Sequence, residues 1–211
     1  MKRAVVPSVL ALLILGACSS GDPDVAAPPQ PGEATFLEEG MEISALAPNS
    51  SIRLVSKGDG EILLSAGFFN RNEMAHVRLP SRASWAPDSH HLFINDSGSA
   101  SWSTFRLFEI TSNGIGTERP DIHRAAVAEL GRLSGCATVP EPDATTTGMA
   151  WAAEGRQVYV LAQQRRETGD CRWGPIEYIV VVADVKTGRL LETVQGAEAR
   201  RRFPELPWVP L

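Results

Sequence analysis

Lysine is scarce in this 211-residue sequence, occurring only as Lys2, Lys57 and Lys186, and acidic residues outnumber basic ones by 25 to 20. A chain with this balance lacks the basic face that nonspecific nucleic-acid binding needs, so no nucleic-acid partner is expected. No stretch after Leu15 approaches the roughly 20 apolar residues of a membrane span, so no transmembrane helix is expected. The sequence also has no G-x-S-x-G elbow, no P-loop, no H-E-x-x-H and no G-x-G-x-x-G. No catalytic residue and no cofactor is therefore assigned.

The N-terminus carries more information. Lys2 and Arg3 form a positive start, Ala4 to Leu15 is apolar apart from Pro7 and Ser8, and Gly16-Ala17 are small. That order describes a secretory signal over residues 1–17. Its apolar helix would rise only about 18 Å, too short for hydrocarbon about 30 Å thick. The run Leu15-Gly16-Ala17-Cys18 resembles the lipobox of bacterial lipoproteins. The resemblance implies cleavage after Ala17 and a diacylglyceryl group on the Cys18 sulfur. The chain would then be held to a membrane by lipid, durably if two or more acyl chains are attached. Ser19, where similar proteins kept in the inner membrane often carry Asp, favours the periplasmic face of the outer membrane.

Three cysteines are present, and lipid takes Cys18. Cys136 and Cys171 remain, an even pair in an exported chain, so a disulfide between them is expected. Closing that loop would stabilise by roughly 3–4 kcal/mol in the chain-entropy account. Two lone thiols make no zinc site without further ligands at suitable spacing. At His90-His91 one imidazole points in and one out. A metal there would need a carboxylate such as Asp88, and no metal site is assigned.

Residues 18–34 contain SSGDPDVAAPPQPG, rich in proline and without periodic apolar residues, and read as a lipidated, disordered tether. Residues 35–211 read as a single β-rich domain. Expected strands are Ile52–Val55 and Ile62–Ala66 around a Gly58-Asp59-Gly60 turn, then Ala75–Leu79. Leu92–Asn95 and Thr104–Ile110 flank Asp96-Ser97-Gly98-Ser99, expected to be a turn. Asn95-Asp96-Ser97-Gly98 invites comparison with a serine-protease nucleophile turn, but His76, His90 and His91 crowd the same region and none lies well upstream. Gln157–Ala162, Ile176–Val185 and Arg189–Val194 complete the strands, with Ile176–Val185 central because it is β-branched and mostly apolar. Between them, Ile122, Ala126, Leu130 and Leu133 share one helical face, so a helix is expected near 121–133, opened by Pro120 and closed by Gly135.

An internal repeat sets the architecture. Trp85-Ala86-Pro87-Asp88-Ser89-His90-His91-Leu92-Phe93-Ile94 aligns with Trp151-Ala152-Ala153-Glu154-Gly155-Arg156-Gln157-Val158-Tyr159-Val160. Downstream, Leu107–Gly114 parallels Val182–Gly188, and a degenerate copy starts near Leu46-Ala47-Pro48-Asn49. These segments resemble the WD40-like blades of TolB-type β-propellers, which open on W-S-P-D-G-x-x-I-x-F. The Trp151 copy has Ala-Glu for Pro-Asp, and the Trp85 copy has Ser89 for Gly. The two tryptophans are further apart than one blade of about 40–45 residues, and the helix accounts for the excess. The resemblance implies a mainly β fold of antiparallel, blade-like sheets, a partial or reduced propeller with one inserted helix. It gives Trp85 and Trp151 the role of filling space between sheets, and Asp88 and Glu154 that of turn residues.

The function expected from these readings is an envelope-anchored, noncatalytic module that binds a protein or glycan partner. The alternatives are an envelope hydrolase with a loop-built site and a structural tether between membrane and cell wall. Cys18→Ala should abolish alkyne-palmitate labelling and accumulate as precursor. Unchanged labelling of that variant would remove the lipobox reading.

Overall fold

The computed structural model describes residues 29–30, 34–67, 70–99, 102–135, 144–164 and 176–208. Cys18, Cys136 and Cys171 lie outside the described residues, as does nearly all of the expected tether. Two short strands come first, β1 (Pro29–Gln30) and β2 (Ala34–Leu37). The chain then folds as three antiparallel meanders. The first sheet is β3 (Ile43–Leu46), β4 (Ile52–Ser56), β5 (Glu61–Ala66) and β6 (Asn70–His76). The second is β7 (Ser81–Trp85), β8 (His91–Ser99), β9 (Trp102–Ile110) and β10 (Gly116–Arg119), with β2 added beside β7. Helix α1 (Asp121–Leu133) leads to the third, made of β11 (Ala144–Ala152), β12 (Gln157–Gln164), β13 (Tyr178–Asp184) and β14 (Leu190–Gln195), with β1 beside β11. A short helix, α2 (Gly196–Arg202), follows. The protein is thus mainly β.

The period-2 alternation of the strands decides how the sheets stack. From the second sheet, Leu92, Ile94, Phe108 and Ile110 pack with Ile52, Leu54, Ile62 and Leu64 of the first. The intervening residues Phe93, Phe105 and Leu107 join Trp151, Val158, Val160 and Val181 of the third. The buried face of α1, carrying Ile122, Ala126 and Leu130, enters that same core. The other face of the third sheet presents Tyr159, Val180 and Val182 to Ala199, Phe203 and Leu206 of the C-terminal segment. Because β13 is apolar towards both layers and lies between β12 and β14, it is an interior strand, as its composition predicts.

Trp85 and Trp151 take equivalent places. Trp85 lies between the first and second sheets at 8% exposure, and Trp151 between the second and third at 0%. Each stands opposite the second residue of the following strand, Leu92 or Val158. Trp151 also stacks on Phe93 at 5.2 Å between centroids and donates its indole N–H to Ser84 Oγ at 3.2 Å. Close by, buried Asn95 pairs with the backbone of Gly148 in both directions. Its Nδ2 donates to the Gly148 carbonyl at 2.9 Å, and its Oδ1 accepts from the Gly148 N–H at 2.7 Å. A Cβ at Gly148 would fall 2.8 Å from the Phe105 ring and 2.9 Å from the Phe93 ring, so only glycine admits this approach.

Helix α1 spans the residues expected. Pro120 precedes it, and Gly135 closes it with φ +75°. It is an excursion between two sheets whose strand pairs are all antiparallel, so no parallel crossover is involved.

Three expectations need correction. Asp96–Ser99 is no hairpin turn: β8 continues through it with a register shift, because Asp96 is buried and ion-paired to Arg106 at 3.3 Å and Arg78 at 3.1 Å. Arg106 in turn makes a two-pronged bond to Glu118 and donates to the His76 carbonyl. The strand expected at Ala75–Leu79 lies earlier, at Asn70–His76, since an edge strand can be polar. Strands β1, β2, β3, β7, β10 and β11 and helix α2 were not among the expected elements. Within the segment expected to be tether, Pro29 and Gln30 pair with Ala152 and Trp151 of β11.

Trp151→Ala should cost about 3–5 kcal/mol, the range for large core aromatics, read as a lower midpoint in denaturant unfolding.

Candidate functional site

The repeat builds one end of the molecule. In its second copy, Ala86 N–H donates to the His91 carbonyl and Ser89 N–H to the Ala86 carbonyl, both at 2.9 Å, with Ser89 at φ +62°. In the degenerate first copy, Ala47 N–H donates to Ile52 and Ser50 N–H to Ala47, both at 2.8 Å, with Ser50 at φ +58°. The third copy is more open: Arg156 N–H reaches the Ala153 carbonyl at 3.2 Å, across Glu154 and Gly155. A further equivalence joins the later copies. Ile110 N–H donates to the His90 carbonyl at 2.7 Å, and Val185 N–H to the Arg156 carbonyl at 2.9 Å. These are the residue pairs that the sequence alignment matches.

The turns abut one another. Asn49 N–H donates to Ser89 Oγ at 3.0 Å, tying the first turn to the second. Gly155 has φ +90°, and a Cβ on it would meet the Asp88 carboxyl at 3.0 Å, so the third turn lies against the second.

Asp88 organises the middle turn. Its Oδ1 accepts the N–H groups of His90 at 2.8 Å and His91 at 3.2 Å, and its Oδ2 lies 2.7 Å from His91 Nδ1. An ionised carboxylate only accepts, so Nδ1 carries the proton towards Asp88 and Nε2 is left over. Burial alone would raise the Asp88 pKa. The hydrogen bonds from the His91 ring and the His90 and His91 backbone, with the favourable charge of His91, outweigh it and hold the pKa below 3.8. Glu154, the aligned acid, is exposed at φ +56° and makes no hydrogen bond among the described residues.

Between the second and third sheets this end opens into a cleft of about 340 Å³. The second sheet contributes Asp88, His91, Glu109 and Arg119. The third contributes Arg156, Asp184, Val185 and Lys186. The charges are unequally occupied. Arg119 bonds Glu109 at 3.2 Å, Asp121 at 2.9 Å and the Lys186 carbonyl at 3.2 Å. Asp184 Oδ1 accepts from the N–H and hydroxyl of Thr187 at 2.7 and 2.6 Å. Arg156 uses only Nε, towards the Ala153 carbonyl, and among the described residues neither Arg156 nor Lys186 forms an ion pair. His90 is exposed and takes no part with His91, and no group of three metal-ligating side chains occurs among the described residues.

Of the residues singled out in the sequence, the cleft contains Asp88 and the adjoining His91. Trp85 and Trp151 are in the core, and Glu154 is on the surface. Arg119, Arg156 and Lys186 went unnoticed. The available signal was the alignment, which places Glu109 opposite Asp184 and His90 opposite Arg156. Comparison with family models and with curated proteins returns no match for this chain.

Asp88 gives a pH test with a definite sign. A carboxyl whose pKa is lower folded than unfolded stabilises the fold above the unfolded value, and that contribution is lost as pH falls through the folded value. The melting-temperature difference between the wild type and Asp88→Asn should therefore be greatest near about pH 6 and shrink towards about pH 3. A difference constant over that range would contradict the assigned role.

Proposed function

We propose that this chain is a lipid-anchored envelope protein whose three sheets are blade-like units of a reduced, propeller-like module that binds a protein or glycan partner without transforming it. The single observation carrying the binding reading is the cleft between the second and third units, where two repeats converge and Arg156 and Lys186 form no ion pair among the described residues. Its carboxylates serve the fold: Asp88 ties a turn, Asp184 another, and Glu109 holds Arg119. The blade-like reading is supported by the matched hydrogen bonds of the repeats and by three successive four-stranded meanders. The anchor rests on the Leu15–Cys18 motif. With that motif, the cleft would work in the envelope, on the periplasmic face of the outer membrane.

A second reading, an envelope hydrolase, has the Asp88–His91 pair in its favour, since a carboxylate-oriented imidazole is the usual setting of a general base. It requires a nucleophile or water held at His91 Nε2. Turnover of an envelope substrate that His91→Ala abolishes would favour it over binding alone.

A photo-crosslinking residue placed at Glu154, exposed on the turn that carries Arg156 to the cleft, should trap a defined envelope component, while the same residue at Arg71, on edge strand β6, should not. Adducts only at position 71, or at neither, would argue against the cleft as the binding site.

A further inference from the structure

We propose that the cleft takes a carboxylated saccharide, with the sugar carboxylate on Arg156 and Lys186 and the sugar hydroxyls on the free carboxylate oxygens of Glu109 and Asp184; this deepens the binding reading above and rests on it. The argument is a count of unused hydrogen-bonding capacity. Arg156 has committed only Nε, so both terminal guanidinium nitrogens are free for a two-pronged bond to a carboxylate. Lys186 belongs to the β13–β14 turn, its backbone carbonyl is held by Arg119, and its ammonium is uncommitted. These are the donors an anion needs.

The same cleft offers acceptors that carry no strong donor. Asp184 has both Thr187 bonds on Oδ1, leaving Oδ2, and Glu109 meets Arg119 through Oε2, leaving Oε1. Formal charge in the cleft is balanced, with Asp88, Glu109 and Asp184 against Arg119, Arg156 and Lys186. A highly charged anion would therefore meet as much repulsion as attraction. A ligand with one carboxylate and several hydroxyls satisfies both sets. Among the described residues no Phe, Tyr or Trp lines the cleft, so a neutral sugar has no broad apolar ring to stack on, and the carboxylate must supply the selectivity. The volume lies at the lower end of the range for small-ligand sites, which suits one or two sugar rings.

Calorimetric titration of the purified full chain with digalacturonic acid tests this. The expected result is a Kd of about 1 mM or tighter, with the dimethyl ester at least about tenfold weaker. Arg156→Gln and Lys186→Gln should each weaken binding about five- to tenfold with unchanged melting temperature, and Arg71→Gln should leave it unaltered. Equal binding of acid and ester, tighter binding of a glutamate-rich peptide, or equal competition by inorganic phosphate would overturn the proposal. Absence of binding would overturn it as well. In that case crosslinking at position 154 would still report whether the cleft binds some other partner, so the two readings fail separately.

Discussion

The central strands of the second sheet, β8 and β9, have to satisfy two cores, and this constraint governs the rest of the molecule. Adjacent residues of β8 point opposite ways: Leu92 and Ile94 enter the core shared with the first sheet, and Phe93 the core shared with the third. A slip of one residue would exchange these sets and put each into space shaped for the other. The polar seam fixes the register further. Asn95 lies on the same strand and acts as a fragment of backbone, pairing with Gly148 where the third sheet approaches too closely for any side chain. An unpaired amide buried there would cost about 1–3 kcal/mol, so the seam rejects misregistered pairings as well as stabilising the correct one.

The two ends of β8 illustrate different uses of charge. At Asp96, the carboxylate, Arg106, Arg78 and Glu118 form a mutually satisfied cluster that ties the start of the second sheet to the end of the first. Arg106 also lies 5.3 Å over the Phe108 ring, further fixing its position. At Asp88 the carboxylate is equally committed, but the cations facing it across the cleft are not. The charge at Asp96 is buried and satisfied within the fold, whereas Arg156 and Lys186 are exposed and form no ion pair among the described residues.

What the sequence made legible was local. The Gly58–Gly60 hairpin, the 121–133 helix and the apolar β13 each declare themselves within a short window of turn chemistry or periodicity. The repeat was legible because the same residue pattern recurs at two strand starts, and the bonds Ile110 to His90 and Val185 to Arg156 join aligned positions. Strands β2 and β10 left little trace because edge strands tolerate polar residues, as in the Gly116–Arg119 run. Helix α2 has seven residues, three of them arginine at its end, and depends on Ala199 and Phe203 docking on the third sheet. The cleft was hardest to foresee because its residues come from five separated segments and acquire meaning only when two repeats are set side by side. Asp88 was read as a turn residue and is one, and its contact with His91 adds a boundary of the cleft to that role.

The pairing of Pro29 and Gln30 with β11 has a mechanical consequence. Tension entering from the N-terminal side reaches the folded body first at this two-residue ladder on the third sheet. The four-residue ladder of β2 on the second sheet is loaded next. The first joint has half as many paired residues, so under tension it is expected to open before the second. Were the chain held at Cys18, as proposed, opening of this ladder would lengthen the N-terminal segment while the three layers stay intact.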